Sequence, residues 1–260
     1  KPMRDILNIL PQLAESQSTV LINGETGTGK ELFARAIHYL GSRSGRPFMT
    51  LDCGALPENL VENELFGHVQ GAYTDAGPHS KGLIKEAHGG TLFLDEVEAM
   101  PISIQPKFLR FLQDRQYKPL GQAGYISSDV RVVAATNNDL LEAVRQKTFR
   151  KDLYYRLNVL LLSVPPLRDR KSDIPALVYH FLQKHTKKTH TKLDIPEDKM
   201  RSWLAYDWPG NVRELENEVQ KWMFLGCSEV MNSAQNVDQA ASGSGPFVEA
   251  RKKALTRYDR

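Results

Sequence analysis

A glycine-rich stretch between an apolar run and a helix-like run constrains this chain more than any other feature. Residues Gly24–Glu31 read Gly-Glu-Thr-Gly-Thr-Gly-Lys-Glu, after the β-prone run Thr19–Ile22 and before Leu32–Ile37. Glycines let backbone N–H groups converge on phosphate oxygens, and a lysine at a helix start adds positive charge. The order strand, turn, lysine, helix therefore predicts a phosphate-binding loop. Its predicted phosphate-binding residues are Gly24, Glu25, Thr26, Gly27, Thr28, Gly29, Lys30 and Glu31.

A second apolar run ends in two carboxylates. Thr91–Leu94 is followed directly by Asp95 and Glu96. We expect Asp95 to hold Mg²⁺, directly or through water, because a hard cation prefers carboxylate oxygens. We expect Glu96 to orient or deprotonate an attacking water. Together with the phosphate loop, this pair predicts ATP hydrolysis rather than nucleotide binding alone.

Composition places the chain among globular proteins of a reducing compartment. Of 260 residues, 25% are charged and 41% apolar, and the net charge of +3 is too small to predict nucleic-acid binding. The two cysteines cannot form a disulfide framework. Without a membrane-length apolar run or a signal peptide, we expect a cytoplasmic protein with no membrane partner.

The hydrophobic pattern divides the chain into an α/β part and a helical part. Residues 1–168 are predicted to form a parallel five-stranded sheet between helices, and residues 169–231 a small helical subdomain. Residues 232–246 are predicted to form a linker, and residues 247–260 the start of a helix that leads into a missing further domain. The predicted strands are Thr19–Ile22, Phe48–Cys53, Thr91–Leu94, Val130–Asn137 and Val159–Val164. The main predicted helices are Lys30–Leu40, Ile104–Gln113, Ile174–Lys184, Glu197–Ala205 and Asn211–Phe224.

Several motifs together resemble a known family. The chain is similar to the central AAA+ domain of bacterial enhancer-binding proteins, the NtrC family of sigma-54 activators. In that family, glutamate is the usual residue after the loop lysine, as Glu31 is here. The motifs that carry the resemblance lie at Gly24–Glu31, Glu64–His68, Gly89–Glu96, Ala134–Asn137, Phe149–Leu157, Pro165–Arg168 and Trp208–Leu215.

The resemblance implies a hexameric or heptameric ring with ATP and Mg²⁺ bound between subunits. Asn137 would be a sensor that reads the γ-phosphate. Arg150 and Arg156 match the arginine-finger region and would reach the γ-phosphate of a neighbouring subunit. The alternative for each arginine is an ordinary surface pair, for example with Asp152.

The same resemblance assigns a sensor role to the helical subdomain. Arg213 matches the second sensor residue and would contact nucleotide phosphates of its own subunit. Its alternative is an ion pair with Glu214 or Glu216. A sensory or receiver domain would precede Lys1, as in a two-component system, and DNA would be bound through the missing domain.

Family members contact sigma-54 through a loop with the sequence Gly-Ala-Phe-Thr-Gly-Ala. The matching residues here are Gly71, Ala72, Tyr73, Thr74, Asp75 and Ala76. Tyr73 keeps the aromatic face, whereas Asp75 removes a glycine and adds a negative charge. A second loop is predicted at Gln122–Asp129 and is expected to support this one.

Asp52 is a second departure, because family members usually carry an asparagine that switches the residue matching Glu96. An ionised aspartate would repel Glu96 or share its proton, which would weaken turnover. Alternatively, a backbone N–H satisfies Asp52 and hydrolysis is normal.

Three functions remain open from the sequence. The first is an ATPase that remodels sigma-54 RNA polymerase for promoter opening. The second is a regulator of the same descent that has lost sigma-54 activation and acts with another sigma factor under nucleotide or effector control. The third is a general AAA+ remodeller outside transcription, against which the loop insertion argues.

Overall fold

A computed structural model of the chain describes residues 2–71, 80–186 and 195–225. The loop residues 72–76, the linker 232–246 and the helix predicted over 247–260 lie outside these ranges.

The described α/β part is built on one parallel sheet. Its strands are β1 (Val20–Asn23), β2 (Phe48–Asp52), β3 (Thr91–Asp95), β6 (Arg131–Thr136) and β7 (Leu160–Ser163). They lie in the order β2-β3-β6-β1-β7, and every pair is parallel. A short antiparallel ribbon pairs β4 (Gln116–Tyr117) with β5 (Ile126–Ser127). The predicted parallel five-stranded sheet is confirmed, whereas β5 occupies part of the segment expected to be a loop.

Helices cover both faces of the sheet. Those of the α/β part are α1 (Pro2–Glu15), α2 (Lys30–Leu40), α3 (Glu58–Phe66), α4 (Leu83–Glu86), α5 (Gln105–Asp114), α6 (Leu140–Arg145) and α7 (Lys151–Leu157). The helical part contains α8 (Ile174–Thr186), α9 (Glu197–Ala205) and α10 (Asn211–Leu225). Two 3₁₀ segments span Val97–Ala99 and Leu167–Asp173. None of the helices in the described ranges is long and apolar enough to cross a membrane.

The central strands are apolar on both faces because each face has its own core. Along β3, Leu92 and Leu94 pack into one buried cluster, and Phe93 packs into the cluster on the opposite face. Alternation of side chains along a strand produces this division. Each such buried side chain contributes about 1.5–3 kcal/mol relative to an exposed one.

The helical part has a separate core. Its buried apolar side chains include Trp203, Trp208 and Leu215, which cluster with residues of α8. The amphipathic pattern of these helices accounts for that cluster.

Helix α1, which the sequence pattern did not predict, is fixed to the sheet by a buried arginine. Arg131 on β6 is only 3% exposed. Its guanidinium donates to the carbonyl of Ala14 at 2.8 Å and also to that of Leu13. These carbonyls belong to the last turn of α1, which lacks further helical partners.

Candidate active site

The phosphate loop connects β1 to α2 in a conformation that requires glycine. Gly27 and Gly29 have φ values of 78° and 96°, which side-chain-bearing residues rarely adopt. A Cβ on Gly27 would lie 2.4 Å from the carbonyl oxygen of Gly210, so the helical part approaches the loop closely here. Thr28 closes the turn by donating from its hydroxyl to the carbonyl of Glu25 at 2.7 Å.

Lys30 opens α2 and is only 8% exposed. Its Nζ donates to the carbonyl of Gly24 at 2.8 Å and to that of Glu25 at 3.3 Å. Burial lowers the pKa of Lys30, and the negative charges of Asp95 and nearby glutamates act in the opposite direction. The site thus holds a cation beside a group of carboxylates.

Asp95 and Glu96 stand at the carboxyl end of β3, next to the loop. Asp95 Oδ1 accepts from the Glu96 N–H at 3.0 Å, and burial raises the pKa of Asp95. Glu96 has a φ of 50°, a left-handed value that is unusual for a non-glycine residue. Burial also raises the pKa of Glu96, and the charges of Asp52, Glu98 and Asp95 raise it further.

Asn137, at the end of β6, bridges the loop and the carboxylates. Its Nδ2 donates to Thr26 Oγ1 at 3.2 Å and to Glu96 Oε1 at 3.4 Å. Its backbone N–H donates to Glu98 Oε1 at 3.2 Å. Sequence reasoning missed Glu98. Its only signal was a third carboxylate two residues beyond the predicted base.

Asp52 has the backbone partner that one alternative requires, and it also lies close to Glu96, as the other alternative requires. Its Oδ1 accepts from the Gly54 N–H at 2.9 Å, so a backbone partner is present. A Cβ on Gly54 would lie 2.4 Å from Glu96 Oε2 and 3.5 Å from Asp52 Oδ1, so both carboxylates border the same small space. Like charges in such a space disfavour ionisation, in agreement with the raised pKa of Glu96.

A cavity of about 400 Å³ brings the predicted residues together. Its wall includes Lys30, Asp52, Asp95, Glu96 and Arg213, besides the loop itself. A neighbouring cavity of about 580 Å³ shares Thr26 and Arg213 with the first and continues between aromatic side chains of the helical part. That second cavity had no sequence signal.

The donor set of the first cavity suits Mg²⁺ held with a nucleotide. No group of three His, Cys, Asp or Glu residues that could hold a metal by itself occurs within the described ranges. Mg²⁺ is usually bound by one or two carboxylates plus phosphates and waters, and Asp95 fits that pattern.

Glu31, the residue after the loop lysine, forms an ion pair with Arg35 at 2.7 Å on the surface of α2.

Arg150 and Arg156 lie apart from this cavity within one chain. Arg150 precedes α7 and forms a two-bond ion pair with Asp152 at 2.7 and 3.0 Å. Arg156 donates to the carbonyl of Leu112 at 2.9 Å. Among the described residues, neither arginine lines the cavity that contains Lys30.

Arg213 belongs to the start of α10, which rests on the phosphate loop. The N–H groups of Val212 and Arg213 donate to the carbonyl of Gly27 at 3.0 and 3.3 Å. The acidic neighbours are engaged elsewhere: Glu214 accepts from the Gly210 N–H at 2.8 Å, and Glu216 pairs with Lys184 at 2.7 Å. Arg213 forms no ion pair with any residue that the structure describes, and its side chain faces the cavity.

Comparison with known proteins decides the family. The family model of the Sigma-54 interaction domain matches residues 1–163, and that of the AAA+ ATPase lid domain matches residues 168–246. This chain belongs to the sigma-54 interaction domain family. The resemblance to NtrC-type activators is therefore confirmed, and the chain is an AAA+ ATPase domain. A general remodeller outside transcription is set aside.

Relatives in the sigma-54 interaction domain family are substantially similar in sequence. The chain is 48% identical over 239 residues to the DNA-binding transcriptional activator HyfR of Escherichia coli, covering 92% of this chain and 36% of HyfR. It is 48% identical over 229 residues to the DNA-binding transcriptional regulator NtrC of Rhizobium meliloti, covering 88% of this chain and 47% of NtrC. The chain thus spans less than half the length of either relative.

A solved structure with a similar sequence shares the fold. NtrX from Brucella abortus in complex with ATP superimposes with a TM-score of 0.81 at 37% identity, over 88% of this chain and 50% of that chain. The fold predicted for this chain, a parallel sheet followed by a helical region, is the AAA+ fold.

Proposed function

We propose that this chain is the ATP-hydrolysing motor of a sigma-54 activator and that it remodels sigma-54 RNA polymerase for promoter opening. The observation that carries the proposal is the convergence of Lys30, Asp95, Glu96 and Arg213 on one cavity beside the phosphate loop. A polymerase partner implies the bacterial cytoplasm.

Each residue of the cavity has a distinct role in the proposed reaction. Lys30 and the loop N–H groups bind the β- and γ-phosphates. Glu96 takes the proton of the attacking water, and its raised pKa brings it closer to the pH at which a base works best. Asn137 orients Glu96 and contacts the γ-phosphate from the loop side. Asp95 would hold Mg²⁺, which supplies neutralisation of phosphate charge when bound.

Arg213 is the only arginine that lines the described cavity wall, so a further arginine at the γ-phosphate would have to come from another subunit. We propose that Arg150 and Arg156 reach the γ-phosphate of a neighbouring subunit in a hexameric or heptameric ring. For Arg150, this requires its pair with Asp152 to open. That pair is about half exposed, so its loss costs about 0–1 kcal/mol.

Force would reach sigma-54 through the loop at residues 71–76. The base of this loop is held together, since His68 and Ser80 exchange two backbone hydrogen bonds at 3.1 Å each. The base also pairs with Leu120, which follows β4 in the chain.

We propose residues 1–168 as the nucleotide-binding subdomain and 169–231 as the lid. A linker, a DNA-binding domain and an upstream receiver domain would complete the activator.

The test is ATP-dependent open-complex formation on a sigma-54 promoter. We expect the chain to drive opening with ATP, and Asp75→Gly to improve it, because an unpaired carboxylate in a contact costs several kcal/mol to desolvate. Failure of both proteins with sigma-54, and activity of the parent with another sigma factor, would contradict the proposal. Thr74→Ala serves as the control that removes the proposed contact.

A further inference from the structure

The first residue of α10 is a buried asparagine whose side chain is hydrogen-bonded to the α/β part. Asn211 is 0% exposed and has a φ of 55°, a left-handed value. Its Oδ1 accepts from the Leu167 N–H at 2.8 Å. Its Nδ2 donates to Glu25 Oε2 and to the carbonyl of Thr26, both at 3.1 Å. One buried amide thus joins the lid helix, the 3₁₀ segment and the phosphate loop.

Glu25 extends this connection with an ion pair. Its two oxygens accept from the guanidinium of Arg168 at 2.5 and 2.8 Å, a bidentate arrangement that fixes orientation as well as distance. Arg168 belongs to the 3₁₀ segment Leu167–Asp173, which connects the sheet to the lid. The carboxylate of Glu25 is therefore shared between the lid helix and its connection to the sheet.

Further hydrogen bonds join the phosphate loop to the helical part and to the 3₁₀ segment before it. Arg170, 4% exposed, donates to the carbonyl of Thr28 at 3.0 Å. The carbonyl of Gly27 accepts from the N–H groups of Val212 and Arg213. Consecutive residues of the phosphate loop are thus held from the lid side.

We propose that Asn211, Glu25 and Arg168 form a latch that seats the lid on the phosphate loop and holds Arg213 at the cavity, thereby raising affinity for ATP. These are positioning residues, because they act through Arg213 and the loop backbone. The inference rests on the proposed function, namely that this cavity binds and hydrolyses ATP.

The latch and the negative charge of Glu25 predict opposite effects of Glu25→Gln on ATP affinity. If Glu25 acted on phosphates only through its own negative charge, Glu25→Gln would tighten ATP binding. If it seats the lid, Glu25→Gln weakens binding, and Arg168→Gln weakens it similarly. Because the two side chains share one contact, the double variant should be no weaker than either single variant.

The experiment measures ATP affinity, KM and kcat for the parent, both single variants and the double variant of the 260-residue chain. We expect a rise in KM of about three- to tenfold in each, with a smaller change in kcat. Arg168→Lys, which keeps the charge but loses the bidentate geometry, should restore part of the affinity. Arg145→Gln, which removes an exposed pair with Glu142 on α6, is the control and should leave KM unchanged.

Two results would overturn the latch. One is a lower melting temperature in the variants with KM unchanged, which would mean a structural role only. The other is tighter ATP binding by Glu25→Gln. Lys30→Ala distinguishes failure of the latch from failure of the proposed function. If the parent binds no ATP, or if Lys30→Ala binds ATP as well as the parent does, the proposed function fails too. If only Lys30→Ala loses binding, the latch alone is wrong.

Discussion

Gly27→Ala is the sharpest probe of how closely the lid meets the phosphate loop. The added methyl carbon would lie 2.4 Å from the carbonyl oxygen of Gly210 and 3.2 Å from Cβ of Arg213. A carbon and a carbonyl oxygen normally stay about 3.3 Å apart, so the Gly210 carbonyl must retreat by about 1 Å. The substitution therefore acts as a wedge between loop and lid.

Two costs add up at Gly27. Holding alanine in the left-handed region costs about 1–2 kcal/mol, since the φ of Gly27 is 78°. Displacing packed neighbours costs about 1–3 kcal/mol more. We expect the free energy of unfolding to fall by about 2–5 kcal/mol in total. ATP affinity should fall as well, because the start of α10 moves away from the loop.

Two matched glycines separate these costs in urea unfolding. Gly89 has a φ of 75°, and no atom lies within 4 Å of the point where an added methyl carbon would sit, so Gly89→Ala reports the backbone cost alone. Gly45 has open space and no positive φ, so Gly45→Ala should change little. If Gly27→Ala proved no less stable than Gly89→Ala and kept the parent's ATP affinity, the close approach of lid and loop would be refuted.

Three further predictions concern the charges of the site. Asp52→Asn should lower the pKa of Glu96 and move the acid limb of the ATPase pH profile to lower pH; an unchanged profile would show that Asp52 does not act on Glu96. Arg156→Ala should reduce turnover more than ATP affinity, and mixing it with Glu96→Gln should restore some turnover; mixed rings without any rescue would contradict action between subunits. Arg168 lowers the pKa of Glu25 from 4.5 to about 2, so the stability from this pair is complete above pH 4.5 and is lost as pH falls toward 2. Urea unfolding of the parent and of Glu25→Gln should therefore converge in acid, and a constant difference would contradict that pKa.

The sheet and the phosphate loop were predictable because their signals are local. Helix Lys30–Leu40 and helix Glu197–Ala205 have the predicted bounds, and the predicted strands agree with the structure within a residue or two. Apolar runs buried on both faces and a glycine turn before a lysine leave few alternatives. The convergence of Asp95, Glu96 and Asn137 follows from parallel strands whose carboxyl ends meet at one edge.

The contacts that position the site were not predictable, because they join residues far apart in the chain. Nothing local indicates that Arg131 caps α1, or that Asn211 meets Glu25. The position of Glu98 beside Asn137 depends on the 3₁₀ segment that follows Glu96. Such polar contacts depend on the packed geometry, which a single sequence pattern does not encode.

The proposed function also depends on contact of loop residues 72–76 with sigma-54 and on assembly of a ring. Both proposals presuppose that ATP is hydrolysed at the cavity. The most direct measurement is therefore ATP binding and turnover by Glu96→Gln beside the parent. We predict that Glu96→Gln binds ATP with the parent's affinity and loses turnover by about 10²-fold or more, because the attacking water loses its base. Hydrolysis by Glu96→Gln at the parent's rate would contradict the role of Glu96 as the base.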